Sequence, residues 1–552
     1  MLVRLLLLLF FLNISSFSQR EFKDRPDESG GVLIYEQAAY DVTSYDISVE
    51  VFPSDKKISA SVLIRAKIVQ PVDRFVVDLK ENFDVRQVLE RNRELQFERR
   101  GGKLWIKFME TKQPGESVSV EISYSGAPRV APNPPWVGGF VWTKTADGSD
   151  WIGVACQGDG ADLWLPVKDH PSDRPDRVNL KVTVPKGLYV ASNGKLRKIE
   201  SSLEGKSTFY WQMSSPINNY NITLNIAPYK LIEDKYKSID GTVFPIIFYA
   251  LPESYEKAKD IVSQTKRFLA FYEKYLGPYP FRKEKLGIAE TPYLGMEHST
   301  IIAYGSDFKN NEYGFDWLML HELGHEWWGN LVTASDWRDF WLHEGFQSFM
   351  DTLYVEEVAG IEAYLEQMRE RMNRVKNKKA IAPLEPKFAY QVYMAEPDYK
   401  KSDGDIYDKG ACVLHTLRYL IGDEVFFRSL RRMAYPREEM ERSKKGIQAR
   451  FVTTDEFINI VERESGMQLR WFFNVYLRQP ELPELFVQQA NEKTKIFWKT
   501  PYKTEFPMPV EVEVEGKIIR LEMKGGQGAI EYPISSIKVD PRGWILKRVV
   551  FE

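Results

Sequence analysis

The pentapeptide His321-Glu322-Leu323-Gly324-His325 sets two imidazoles four residues apart with a carboxylate beside the first, and Glu344 follows after eighteen intervening residues. On an α-helix, residues i and i+4 share one face about a turn apart, so both rings can converge on a single cation. Two ligands alone make a weak site. The stretch from Trp337 to Phe346 has the apolar spacing of a second helix. If the chain folds back through a turn at Gly329-Asn330-Leu331-Val332-Thr333, Glu344 becomes the third donor. Two nitrogens and a carboxylate oxygen suit zinc, one ion per chain, with the fourth position left to water. Glu322 neighbours a ligand without needing to be one. Its carboxylate can take a proton from that water and pass it to a leaving amine, so the expected chemistry is hydrolysis. Four of the six histidines lie between His298 and His343, as a local metal site requires.

Such a site needs a large scaffold, and 552 residues suggest several domains rather than one core. Apolar residues at 43% and aromatics at 13% supply packed interiors and exclude a disordered chain. Basic residues (75) nearly balance acidic ones (78) and form no long basic stripe, which argues against a nucleic-acid partner. Residues 1–18 begin Met1-Leu2-Val3-Arg4, continue through an apolar run from Leu5 to Leu12 and end in small polar residues. The run is too short to span a bilayer, so it reads as a secretory signal, with the mature protein periplasmic or extracellular and not stably inserted in a membrane. The two cysteines, Cys156 and Cys412, have no paired-ligand spacing and read as packing residues.

Alternation in Tyr45-Asp46-Ile47-Ser48-Val49-Glu50-Val51 and in Ser59 to Ile64 predicts an antiparallel β region from about Tyr40 to Tyr124. A Pro- and Gly-rich stretch from Ala127 to Gly148 interrupts it, and strands resume through Val178 to Val184, Leu188 to Ala191 and Tyr220 to Ile226. A helical pattern runs from Tyr255 to about Tyr275 and stops at Gly277-Pro278. Helices dominate to about Leu477, with the charged run Pro436 to Arg450 expected as a loop or an exposed helix end. After Pro480 and Pro483, alternation returns in Val510 to Val514 and Ile518 to Met523, which predicts a small β-sandwich.

The segment His321 through Asn330 and on to Trp341-Leu342-His343-Glu344-Gly345 resembles the metal segment of the aminopeptidase N and leukotriene hydrolase family of gluzincin zinc peptidases, in ligands, spacing and flanking tryptophans. The likeness extends over nearly all of the mature sequence. It implies a multidomain α+β fold: an N-terminal antiparallel β domain (36–230), a thermolysin-like, mainly helical catalytic domain (231–480) and a small C-terminal β-sandwich (481–552). Gly295-Met296-Glu297-His298 resembles the family's exopeptidase motif, with Leu294 where a glycine is usual and His298 in place of asparagine. The resemblance makes Glu297 the anchor of the substrate α-amine, with Gly295 and Met296 beside the substrate. Tyr407 in Tyr407-Asp408-Lys409-Gly410-Ala411 matches the family tyrosine whose hydroxyl stabilises the tetrahedral intermediate. Gln157, nine residues before Pro166, matches a glutamine that helps hold the substrate terminus. His298 is expected in a structural rather than a catalytic role.

The function these features imply is a zinc-dependent aminopeptidase acting on peptides. Two alternatives are an endopeptidase with the same metal machinery, since Leu294 and His298 depart from the amine-anchoring motif, and a catalytically silent binding protein of the same fold. With the sequence stopping at Glu552, the resemblance further implies no C-terminal helical roof and a more open cleft. The preferred first side chain and the oligomeric state leave no trace in the sequence.

Overall fold

The computed structural model describes residues 29–552 apart from 204, 395–402 and 444–447, so the expected signal at 1–18 lies outside the described residues. The predicted alternation lays down strand β1 (Tyr40–Phe52), whose Tyr45, Ile47, Val49 and Val51 point into the core. It pairs antiparallel with β2 (Lys57–Ile68), Ile47 opposite Val62. With β3 (Arg177–Pro185) and β4 (Lys206–Met213), these strands build an eight-stranded sheet. Its order is Lys195–Ser201, β4, β3, β1, β2, Ser117–Gly126, Phe83–Glu90 and Arg93–Glu94.

The purely antiparallel reading fails at one junction, because β1 and β3 run parallel with Ile47 opposite Leu180. Between them the chain lays down the far half of the same sheet and strands of two further sheets, and only a long crossover of this kind can return a strand in parallel. The strand expected over Tyr220 to Ile226 is also shorter. Asn219–Asn221 forms a 3-10 turn and only Asn225–Ala227 pairs. Buried amides explain the difference: Asn218 Nδ2 donates to the Gly329 carbonyl and Asn219 Nδ2 to the Lys168 carbonyl, and such side-chain bonds compete with a sheet ladder.

A five-stranded sheet begins with β5 (Lys230–Lys237), followed by β6 (Val243–Ala250), β7 (Leu286–Glu290), β8 (Gly295–Met296) and β9 (Ile301–Tyr304). Its order is β5-β6-β7-β9-β8, so the two-residue β8 is an edge strand. Helix α1 (Tyr255–Leu276) ends where Gly277 takes φ +97°, the left-handed conformation glycine adopts at little cost. It packs beneath α2 (Trp317–Gly324), which in turn meets α3 (Trp341–Ala359). The helix expected from Trp337 starts later than the pattern suggests. Asp336 accepts from the Arg338 amide and caps a separate 3-10 turn, Trp337–Asp339. Helices α4 (Ile361–Arg374), α5 (Ala389–Tyr393) and α6 (Asp405–Ile421) follow. The charged run contains the short helix Glu438–Arg442, whose Glu441 pairs with Arg431 and Arg432.

The C-terminal strands form a four-stranded and a three-stranded sheet around Leu485, Val487, Ile496, Val510 and Val512, all buried. Among the described residues no helix is long and apolar enough to cross a membrane. Cys156 and Cys412 are buried free thiols.

Candidate active site

Helix α2 starts because Asp316 accepts from the Met319 amide (2.8 Å) while its other carboxylate oxygen takes bonds from Tyr304 and Ser306, which ties the helix to β9. It ends one residue earlier than the sequence suggests. Gly324 is the last helical residue, and His325 lies at the C-cap, still right-handed (φ −63°, ψ −14°). Both imidazoles therefore keep a common direction. Beyond the helix the hydrogen bonding widens, with the Asn330, Leu331 and Val332 amides reaching back five residues to the His325, Glu326 and Trp327 carbonyls, while Gly324 packs against α3 and α1 with no room for a side chain: a Cβ there would fall 1.9 Å from Gln347 Oε1 and 2.5 Å from the Tyr272 hydroxyl.

His321 Nδ1 bonds Asp351 Oδ2 (2.8 Å) and His325 Nδ1 bonds the Trp328 carbonyl (2.8 Å). Each acceptor requires the proton on Nδ1, leaving an Nε2 lone pair on each ring. The two Nε2 atoms stand 3.3 Å apart, and Glu344 Oε2 is 3.7 Å and 3.4 Å from them. A point equidistant from three atoms at those separations is about 2 Å from each, which matches zinc–nitrogen and zinc–oxygen distances (~2.0–2.2 Å). Glu344 Oε2 is buried with no hydrogen-bond donor, and lone pairs from three groups cannot stably face one another without a cation. The trio is the one three-residue cluster among the described residues with metal-ligand geometry, so the donor set fits zinc. Burial favours the neutral acid, yet positive charge at the His325 and His321 positions holds the Glu344 carboxyl well below the usual carboxylate range, so the cluster keeps its carboxylate only beside a cation.

Glu322 turns the other way, towards the edge strand. A Cβ on Gly295 would lie 2.7 Å from Glu322 Oε1 and from Leu318 Cδ1, so the glycine is what lets this carboxylate sit against β8. Burial, opposed by both histidines, raises the Glu322 carboxyl to about 8. Tyr407 enters from α6 through another close approach: a Cβ on Gly410 would meet Gly345 Cα at 2.7 Å. Gly345 follows Glu344 and Gly410 lies one turn beyond Tyr407, so the glycine contact brings Tyr407 to the cavity that the three-donor cluster also lines. Burial, reinforced by Glu344 and Glu297, raises the Tyr407 hydroxyl well above its ordinary value and keeps it a donor.

Glu297 lines the same cavity, which measures about 250 Å³ and is lined by all nine residues expected from the sequence. Gln157 Nε2 and the Tyr220 hydroxyl (3.2 Å) both donate to Glu297 Oε1. Gln157 belongs to the N-terminal β region, so the cleft does lie between two parts of the chain. Burial raises the Glu297 carboxyl to about 7 although His325 opposes it. The loop after Glu297 is pinned by Asn330 Nδ2 on the Glu297 carbonyl (2.9 Å) and by Glu326 Oε1 on the Thr300 amide (2.7 Å), where Thr300 takes φ +63°. Leu294 and Trp317 are partly exposed at the mouth. His298 does not line the cavity. It is buried and held neutral, with its pKa lowered to about 3 by burial.

The sequence reading missed four supporting residues. Asp351 was legible in principle, because it follows Glu344 by two helical turns and shares its face. Tyr220, Tyr393 and Asn330 carry no local signal and are recruited by the tertiary fold.

Comparison with known proteins accords with this geometry. Residues 42–220 match the Peptidase M1 N-terminal domain and residues 261–476 the Peptidase family M1 domain. Probable aminopeptidase 1 of Saccharolobus solfataricus is 22% identical, over 85% of this chain and 59% of its own length. Leucyl aminopeptidase of the same organism is 23% identical, over 68% and 48%. The chain thus spans about half the length of these relatives. The fold of an M1 zinc metallopeptidase from Deinococcus radiodurans superposes with a TM-score of 0.64 at 22% identity, covering 80% of this chain and 94% of that one. Matched by both domain descriptions across most of its length, the chain belongs to peptidase family M1.

Proposed function

We propose that this protein is a zinc-dependent aminopeptidase that removes the first residue of peptides. The observation that carries the reading is a single cavity lined both by the three-donor cluster of His321, His325 and Glu344 and by a carboxylate suited to an ammonium, Glu297. A zinc ion held by His321, His325 and Glu344 supplies, when bound, Lewis-acid stabilisation of negative charge and acidifies water. Glu297 accepts the substrate α-ammonium in a charge-assisted bond and so selects the peptide bond nearest the amino terminus. Glu322 removes a proton from the attacking water and returns it to the departing amine, a task suited to a carboxylate that lines the cavity one residue from the ligand His321. Tyr407 donates to the oxyanion as it forms, an interaction stronger in the transition state than in the substrate. The apolar run at Leu5 to Leu12 supports export to a periplasmic or extracellular compartment.

The reading is tested by comparing a leucine-initiated peptide with its N-acetylated twin, with and without a chelator. The free peptide should lose its first residue in a chelator-sensitive reaction while the acetylated one is spared. Equal cleavage of the two would make the enzyme an endopeptidase. A purified protein that takes up no metal and cleaves neither would be a binding protein of the same fold.

A further inference from the structure

Gln157 has a side-chain amide whose two ends are chemically opposite, and the structure determines which end faces the cleft. Its Nε2 donates to Glu297 Oε1. The reverse orientation would set an amide oxygen against a carboxylate. With Nε2 committed, Oε1 needs a donor, and the hydroxyl of Tyr393 supplies it at 2.9 Å. Tyr393 is the last residue of the five-residue helix α5, and the position of that helix is over-determined. Lys379 Nζ donates to the carbonyls of Gln391 (2.6 Å), Val392 (2.9 Å) and Met394 (2.6 Å), and the Asp403 amide donates to the Tyr393 carbonyl (2.8 Å). The phenol ring rests edge-on against Phe340 (5.4 Å), four residues before Glu344.

A second chain of donors reaches Glu297 from the other direction. Arg174, which can only donate, bonds Asn218 Oδ1 through Nε (3.0 Å). The Asn218 amide nitrogen therefore faces the Tyr220 oxygen (3.4 Å), and Tyr220 donates to Glu297 Oε1. Both chains end on Oε1, so the two side-chain donors fix one edge of the carboxylate.

We propose that Tyr393 is a positioning residue for amine recognition: by holding Gln157 Oε1 it keeps Nε2 on Glu297, so that the carboxylate meets the substrate ammonium in one orientation. The proposal rests on the aminopeptidase reading. Without the hydroxyl, the Gln157 amide can rotate, and Glu297 loses one of its two fixed donors.

The test uses Tyr393→Phe in the metal-loaded enzyme, with leucine hydroxamate and its des-amino analogue, 4-methylpentanoyl hydroxamate, as paired calorimetric probes. Leucine hydroxamate should bind about fivefold more weakly to the variant, the scale of one lost neutral hydrogen bond. The des-amino analogue should bind as it does to the unaltered enzyme. For a leucine-initiated peptide, KM should rise by a similar factor and by more than kcat falls. In a Gln157→Ala background, Tyr393→Phe should add no further loss, because both act through one interaction. Equal weakening of the two hydroxamates, unchanged affinity for both, or additive losses in the double variant would each overturn the proposal. If the unaltered enzyme cleaves acetylated and free peptides alike, the aminopeptidase reading and this inference fall together. If it discriminates between them and Tyr393→Phe behaves identically, only the role of Tyr393 is lost.

Discussion

Helices α3 and α6 meet at two glycines, and replacing either probes how the site is assembled. A Cβ on Gly410 would lie 2.7 Å from Gly345 Cα, while one on Gly345 would lie 2.9 Å from Gly410 Cα and 3.0 Å from the Ile406 carbonyl. Carbon atoms rest about 3.5–4.0 Å apart, so Gly410→Ala must move the helices apart by roughly 0.8 Å or more. The obstacle is backbone on both sides, and no flexible side chain can yield. Alanine's better helix propensity, worth about 1 kcal/mol, is opposed by an overpacking cost of about 1–3 kcal/mol. A net loss of up to about 2 kcal/mol follows, which a chain of this size survives. The effect on chemistry should be larger. Tyr407 lies one turn from Gly410 and moves with α6, whereas His321 on α2, His325 at its C-cap and Glu344 on α3 keep their mutual geometry. Displacing a catalytic group by about 1 Å costs on the order of a hundredfold in rate. Gly410→Ala should therefore retain its metal and unfold only a few degrees earlier, yet lose about a hundredfold in kcat. Metal content, a thermal melt and initial rates on a leucine-initiated peptide check all three. Normal kcat in a folded, metal-loaded variant would refute the claim that this contact places Tyr407.

Three further outcomes follow from the same geometry. Glu322→Gln should keep its metal and fold while losing ~10²–10⁴-fold in turnover, and near-normal rates would remove Glu322 from the mechanism. Asp351→Ala deprives His321 Nδ1 of its acceptor, so metal affinity measured by chelator competition should fall about 10–100-fold; unchanged affinity would show that Asp351 does not orient the ring. Lys409 is buried with its ammonium on the Pro480 carbonyl (2.8 Å), and burial, opposed by Asp405, lowers its pKa to about 8. In the unfolded chain it titrates near 10.4, so between those values the unfolded state binds more protons and stability rises with pH. Below about pH 8 both states are protonated, and the burial cost is constant. Urea titrations of the unaltered protein against Lys409→Met should thus shift in favour of the former by up to about 3 kcal/mol between pH 8 and pH 10.4, and a flat difference would contradict the assignment.

Short-range chemistry was legible in the residues themselves. Spacing four apart on a helix places His321 and His325 on one face, alternation every second residue lays out β1 and β2, and Gly277 marks the end of α1, because each depends only on local backbone geometry. A resemblance of motifs extended this to Glu297, Tyr407 and Gln157. Local pattern did not reveal the parallel pairing of β1 with β3, which rests on a crossover of more than a hundred residues. It also did not reveal the early end of α2, where the amides of Asn330, Leu331 and Val332 reach back five residues rather than four. The site's finer arrangement belongs to the tertiary level for the same reason. Tyr220 and Tyr393 are two of 28 tyrosines and acquire meaning only when Gln157 and Glu297, 140 residues apart, are brought within one hydrogen bond. The sequence alone determined which groups could perform the chemistry; only the folded chain decided which donors orient them, because hydrogen-bond direction and close packing are properties of neighbours in space.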